Sequence, residues 1–189
     1  IKTLADFLYH IPFRYEDFSI ISSIVNVQAG ETVTVKGEVL EISNQRTRNW
    51  KTLQKAKIKD KTGEIEIIWF NQPFLVNLMK KGDKISVAGK IDVYKNKLLL
   101  QSPEYEILVN DEDETIHTGR LVPTYPETRG VSSKWLRRQV NKIINDCKHK
   151  LLEYLPYSMI SDNQMLGFFE AIGQIHFPKN SDLAEKARL

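Results

Sequence analysis

Between residues 31 and 108 the hydrophobic residues recur at every second position, the period of a β-strand with one buried face. Five such segments follow one another, the last from Lys97 to Leu108, with turn signals such as Lys61-Thr62-Gly63 between them. Between the third and fourth segments, PFLVNLMK (73–80) predicts a short helix with proline at its first position. Five strands with a helix in that place predict an OB-fold barrel. An SH3-like barrel or an open sandwich also satisfies the pattern.

The segments on either side follow the helical period. Residues 3–10 predict a short helix with Thr3 as its N-cap, and Ser132-Ser133 can cap a longer one with a single apolar stripe. A further helix is predicted at about 163–175. The fold class is therefore mainly β with flanking helices (α+β). We expect an N-terminal lead-in over 1–30, the OB-fold over 31–108, an acidic linker over 109–118 and a helical connector over 119–189.

Charge is distributed unevenly along a chain whose net charge is only +3. Residues 31–100 hold 14 lysines and arginines against 8 acids, whereas residues 101–118 hold 6 acids and no cation. Seven cations lie between Arg46 and Lys61, with Asp60 as the only acid. A basic stripe on one module is a footprint for polyanions, although a solvated strand face would look the same.

The sequence offers no recognisable catalytic constellation or metal site. The four histidines are scattered, and the single cysteine, Cys147, falls on an apolar helix stripe. We therefore expect no catalytic residue, metal or cofactor in this chain. One cysteine, no signal peptide and no membrane-length apolar run favour a cytoplasmic setting. The chain starts at Ile1 and stops at EKARL, so we expect it to be a piece of a longer protein.

Three aromatic residues surround the chain reversal in IEIIWFNQPFL, residues 65–75. If Ile65 and Ile67 face the barrel interior, strand alternation turns Trp69 inward and Phe70 outward. Phe74 can join Phe70 at a tight corner, or it can plug the barrel as part of the helix that follows. Exposed aromatics beside basic loops are a common way of holding unpaired bases, so Phe70 and Phe74 are candidates for base stacking.

Two loops supply candidate contacts to the phosphate backbone. The loop between the first two strands, NQRTRNWKTLQK (44–55), contributes Arg46, Arg48, Trp50 and Lys51. The turn between the fourth strand and the fifth contributes Tyr94, Lys95 and Lys97. An OB-fold binds oligonucleotides with these loops and with the face of its second and third strands.

Four segments, in order, resemble signatures of the bacterial DNA helicase RecG. They are FLYHIPFRYEDFS (7–19), IWFNQPFLVNLMKKGDKISVAGKI (68–91), RLVPTYPETRGVSSKWLRR (120–138) and FFEAIGQIHFP (168–178). The resemblance implies an N-terminal wedge domain with an OB-fold, set against the branch point of stalled forks and Holliday junctions. It also implies that Phe70 and Phe74 stack on bases there, and it keeps Trp69 a candidate. The family's preceding Gly-Val-Gly segment and its motor motifs are missing.

What the resemblance implies is a wedge module for DNA repair and recombination. The longer protein would be an ATP-dependent helicase using Mg²⁺, and this chain a monomeric, non-enzymatic part of it in the bacterial nucleoid. The rival hypotheses are a protein-interaction module that recruits a partner such as single-strand-binding protein, and a general single-stranded DNA binder.

Overall fold

The computed structural model describes residues 3–46, 52–110, 115–147 and 151–188. Its helices are α1 (Leu4–Leu8), α2 (Leu75–Leu78), α3 (Ser133–Cys147), α4 (Tyr157–Asp162), α5 (Phe168–His176) and α6 (Ser181–Lys186). A 3₁₀ turn covers Ile24–Asn26. Its strands are β1 (Arg14–Asp17), β2 (Thr32–Arg46), β3 (Thr52–Lys59), β4 (Glu64–Phe70), β5 (Lys84–Tyr94), β6 (Lys97–Gln101), β7 (Glu104–Leu108) and β8 (Leu121–Thr124). The mainly β fold with flanking helices is confirmed.

Strands β2 to β7 form one sheet whose pairings run in a ring, β2–β3–β4–β6–β5 and back to β2. Every contact in the ring is antiparallel except β4–β6, as in an OB-fold. That parallel contact has only three residue pairs, Glu66↔Leu99 to Ile68↔Gln101, so the barrel is not strictly closed. Its interior holds the alternating apolar residues of the sequence, with Val35, Ile67 and Val87 fully buried.

The fifth predicted strand is divided into β6 and β7, which lie one after the other along β5. The break falls at Ser102, where φ is +48°, and at Pro103, which has no N–H to donate to a ladder. A Cβ atom on Gly37 would come 2.7 Å from the carbonyl oxygen of Lys59. Only glycine permits that approach of two strands.

The helices differ from their predictions mainly in extent. Thr3 caps α1 as predicted, by accepting a hydrogen bond from the Asp6 N–H at 3.2 Å. Pro73 does not begin α2, because the helix starts two residues later. The helix predicted at about 163–175 is shorter than expected, because α5 begins only at Phe168, and the separate helix α4 that precedes it was not predicted. The carboxylate of Glu153 caps α5 by accepting a hydrogen bond from the Phe168 N–H, at 2.6 Å.

The chain divides into two compact units, residues 1–16 with 121–189 and residues 17–120. The domain boundaries expected from the sequence stay predictions. The first unit has its own core, in which Leu8 of α1 packs with Val140 and Ile144 of α3 and with Ile172 of α5. In the ranges that the structure covers, no helix has the length and apolar character needed to cross a membrane.

Candidate nucleic-acid interface

The aromatic corner, Phe70 to Phe74, joins the end of β4 to α2. The alternation of β4 is as predicted: Ile65, Ile67 and Trp69 are buried and Phe70 is exposed. Phe70 is 39% exposed and Phe74 is 52% exposed. The corner therefore presents two accessible aromatic side chains within five residues.

Trp69 belongs to the barrel core. Its side chain has no exposed surface, its Nε1–H donates a hydrogen bond to the Pro103 carbonyl at 3.0 Å, and its ring meets Tyr105 edge-on. An indole in that position cannot stack on a base unless the barrel opens. The candidate role of Trp69 in base stacking is therefore corrected to a structural one, as strand alternation had favoured.

The barrel plug is formed by other residues than Phe74. Leu75 and Met79 are both fully buried, one helical turn apart, whereas Phe74 and Leu78 are exposed. The alternative in which Phe74 fills the barrel is therefore wrong. Its contact with a base stays a prediction.

A chain of hydrogen bonds holds the corner to the barrel. Gln54 on β3 is fully buried; its Oε1 accepts the Gln72 N–H at 2.8 Å, and its Nε2 donates to Asn44 Oδ1 at 2.9 Å. Asn71 adopts φ of +55°, a conformation that asparagine tolerates well, and its N–H donates to the Thr52 carbonyl at 2.9 Å. These hydrogen bonds to β3 therefore fix the backbone that carries Phe70 and Phe74.

The sequence did not identify Gln54 as a residue that supports the aromatic corner. It precedes Ala56 and Ile58 in the inward register of β3, so a polar amide stands where the pattern calls for an apolar side chain. A buried amide needs partners, and the sequence does not show that the partners are Gln72 and Asn44.

Arg46 lies at the same end of the barrel as the corner. It is exposed and pairs with Thr52 across the β2–β3 ladder, and the next residue of β3, Leu53, pairs with Phe70. The other candidates of this loop, Arg48, Trp50 and Lys51, lie outside the described residues.

The turn at 94–97 lies at the other end of β4. Leu99 pairs with Glu66 in the parallel ladder, so Lys97 is level with Glu64, and both residues line one surface depression. Six residues of strand separate Glu64 from Phe70, or about 20 Å at roughly 3.3 Å per residue. Tyr94 is 60% exposed and the Lys95 Nζ lies 5.4 Å from its ring centre. The structure does not bring Tyr94, Lys95 and Lys97 to the aromatic corner.

Much of the basic cluster between Arg46 and Lys61 is paired with acids. Lys55 lies 3.0 Å from Glu66, Lys57 lies 3.4 Å from Glu64, and Lys59 lies 3.7 Å from Glu38. For these three lysines the solvated strand face is the better description. Within the described ranges, no group of three or more His, Cys, Asp or Glu side chains is arranged to hold a metal ion.

Comparison with known proteins matches residues 1–147 to the family model described as RecG wedge domain. The ATP-dependent DNA helicase RecG of Thermotoga maritima is 30% identical over 192 residues, and that of Synechocystis sp. is 28% identical over 206 residues. Each match includes the whole of this chain but 24% of the relative, so the chain spans about a quarter of their length. A solved structure of RecG bound to a three-way DNA junction superposes with a TM-score of 0.76 at 26% identity, covering all of this chain and 26% of that one.

Proposed function

The chain belongs to the RecG wedge domain family, and from that premise we propose that it binds branched DNA and parts the strands at the branch point. The observation that carries the proposal is the aromatic corner. Phe70 and Phe74 are exposed there, on backbone that a hydrogen bond to the buried Gln54 side chain holds in place. A rigid aromatic edge can replace the stacking partner that a base loses when its pair opens.

The energy available is enough to matter at a junction. Stacking on an aromatic side chain contributes about 1–3 kcal/mol per base, irrespective of sequence. Two such contacts, at Phe70 and Phe74, supply about 2–6 kcal/mol, equivalent to about one to four DNA stacking steps at roughly 1.4 kcal/mol each. The wedge would therefore hold about one to four base pairs open at a branch, and further opening needs work from elsewhere.

Backbone contacts supply affinity without sequence preference. Arg46 would meet a phosphate next to a base stacked on Phe70, which is supported by its pairing with Thr52 beside the Leu53–Phe70 pair. Arg48, Trp50 and Lys51 of the same loop would act with it. Tyr94, Lys95 and Lys97 would meet a different part of the DNA, about 20 Å along β4. Such contacts predict affinity that falls steeply with salt.

The energy for strand separation would come from the longer protein. Both relatives named above are ATP-dependent helicases, and we propose that this chain is the wedge of such an enzyme. ATP hydrolysis with Mg²⁺ would then be carried out outside the residues of this chain. The wedge would convert translocation of the DNA into strand separation by standing in the path of the duplex.

The test is equilibrium binding of the chain to a three-way junction, a linear duplex and a single strand of matched length. We expect tightest binding to the junction. Changing both Phe70→Ala and Phe74→Ala should weaken junction binding by about 2–6 kcal/mol, which is a loss of about 30-fold or more, while duplex binding stays unchanged. Tyr157→Ala is the matched control, because Tyr157 is an 84% exposed aromatic on α4.

Two results would overturn the wedge. One is equal affinity for the three DNAs, with both phenylalanine changes silent. The other is retention of single-strand-binding protein from nuclease-treated solution by the wild-type chain, lost on changing Phe70, without any junction preference. The second result would assign the exposed aromatics to protein recruitment.

A further inference from the structure

Helix α3 exposes an aromatic ring and two cations on one side. Its apolar side, which includes Val140 and Ile144, is buried in the core of its unit. Trp135, Arg138 and Lys142 follow one another at helical positions i, i+3 and i+7 on the opposite side, and all three are exposed. We name these three residues the α3 face.

The two cations of the α3 face are not neutralised within the chain. In the part of the chain that the structure describes, neither Arg138 nor Lys142 forms an ion pair. Asp146, one turn beyond Lys142, is the only acid in the helix. Lys55 and Lys57 of β3 differ in this respect, because each is held by a glutamate. The two positive charges of the α3 face therefore remain available to an external anion.

Trp135 is supported from one side and accessible from the other. Its ring centre lies 6.1 Å from that of Phe7 in α1, with an angle of 46° between the two planes, and the residue is 45% exposed. A tilted contact of this kind supports the indole without covering it as a parallel stack would. Because the indole is already held, binding a flat ligand costs it little conformational freedom.

A supported indole beside two free cations fits a single strand of nucleic acid. Proteins that hold single strands combine aromatic side chains, on which bases stack, with cations that contact the backbone. An internal base of a duplex has both its faces covered by its neighbours, so it offers no face to Trp135. Arg138 and Lys142 are four residues apart, about 5–6 Å between Cβ atoms, so both can reach the backbone next to one stacked base.

We propose that the α3 face binds single-stranded DNA, with a base stacked on Trp135 and the adjoining phosphates bound by Arg138 and Lys142. The face belongs to the unit of residues 1–16 and 121–189, whereas the aromatic corner belongs to the unit of residues 17–120. It is a separate contact that goes beyond the proposed wedge function and does not depend on it. In a protein that parts strands, such a contact would hold one released strand and delay its re-pairing.

The test starts from the chain carrying Phe70→Ala and Phe74→Ala, in which the aromatic corner no longer competes for bases. Fluorescence anisotropy follows the binding of a labelled oligothymidine of about 12 nucleotides. Adding Trp135→Leu keeps an apolar contact with Phe7 but removes the flat ring, and it should weaken binding about fivefold or more. Trp135→Phe in its place should keep most of the affinity, because a ring is still present.

The salt dependence of the same binding tests the two cations. Arg138→Ala together with Lys142→Ala should lower the salt slope by about 1.4, since each phosphate contact with a single strand contributes about 0.7. The affinity disadvantage of this double variant should shrink about sevenfold between about 50 and 200 mM salt. The charge-matched control is Lys179→Ala with Lys186→Ala, two exposed lysines of the same unit outside α3. It should bind as the starting chain does.

Four results would overturn the proposal. Two of them are equal binding by Trp135→Leu and Trp135→Phe, and an equal loss in the control and in the Arg138, Lys142 variant. A duplex of the same length that binds as tightly, and is weakened by the same changes, would refute the assignment to a single strand. Displacement of the oligothymidine by polyglutamate at equal charge concentration would assign the α3 face to an acidic polypeptide. Absence of junction preference in the wild-type chain overturns the wedge alone, because the α3 face is measured without a junction.

Discussion

The hydrogen bonds of Gln54 should decide how firmly the aromatic corner is held. The change Gln54→Leu keeps the approximate size of the side chain but removes the acceptor of the Gln72 N–H and the donor to Asn44. Asn44 is exposed and can turn to water. Loss of the hydrogen bond costs about 1 kcal/mol. Because the Gln72 N–H is only partly buried, leaving that group unsatisfied costs only about 1 kcal/mol more.

Hydrogen exchange measures this local cost directly. A loss of about 2 kcal/mol predicts that the Gln72 amide exchanges about 30-fold faster in Gln54→Leu, since about 1.4 kcal/mol is a factor of ten. The amide of Ile67, in the middle of β4, should change much less. Local exchange is the better assay here, because a chain of two compact units need not unfold in one step.

The matched control is Gln45→Leu, an exposed glutamine one position from Asn44 on β2. It should leave the exchange of the Gln72 amide unchanged. A Gln72 amide equally protected in wild type and Gln54→Leu would refute the argument, because the corner would then be held by its backbone alone. Equal acceleration in both variants would show a general loosening of the barrel end.

Two further changes test residues that are buried. Trp69→Phe removes the hydrogen bond to the Pro103 carbonyl and should lower the free energy of unfolding, measured in urea melts, by about 2 kcal/mol. We expect the junction affinity of the folded variant to be unchanged. A large loss of affinity would make Trp69 a DNA contact again. His176 donates from Nε2 to the Leu8 carbonyl and accepts from the Tyr125 hydroxyl, both at 2.8 Å, and its burial lowers its pKa to about 4. Because the unfolded chain binds the proton first, stability of its unit should fall by about 3 kcal/mol from pH 6.5 to pH 4 and then level off. An equal fall in stability between pH 6.5 and pH 4 in the variant His176→Gln would show that His176 is not the group responsible.

The barrel was predictable because its information is local. Alternation in β4 fixes which side chains enter the core, and the sequence pattern alone distinguishes the buried Trp69 from the exposed Phe70. The break at Ser102-Pro103 also has a local signal, since proline interrupts a ladder. The single strand predicted at 97–108 has the same ends as β6 and β7 together, but it lacks the interruption between them.

The relations that sequence could not supply are those between distant residues. Glu153 caps α5 from fifteen residues away, and Gln54 binds the backbone of Gln72 from another strand. The lysines of β3 show the same limit for charge. Read along the chain, Lys55 and Lys57 belong to one basic stripe, but each forms an ion pair with a glutamate of the neighbouring strand β4.

The aromatic corner owes its geometry to the barrel core. Leu75 and Met79 are buried in the barrel, while Phe74, the residue before Leu75, is exposed. Because the side chain of Leu75 is fixed in the core, the backbone next to it has little freedom to move. The packing of Leu75 therefore sets the direction of Phe74. Gln54 fixes the preceding residues in the same way from β3. Stacking on such a corner costs little ordering of the protein, so most of the contact energy remains available to hold a base pair open.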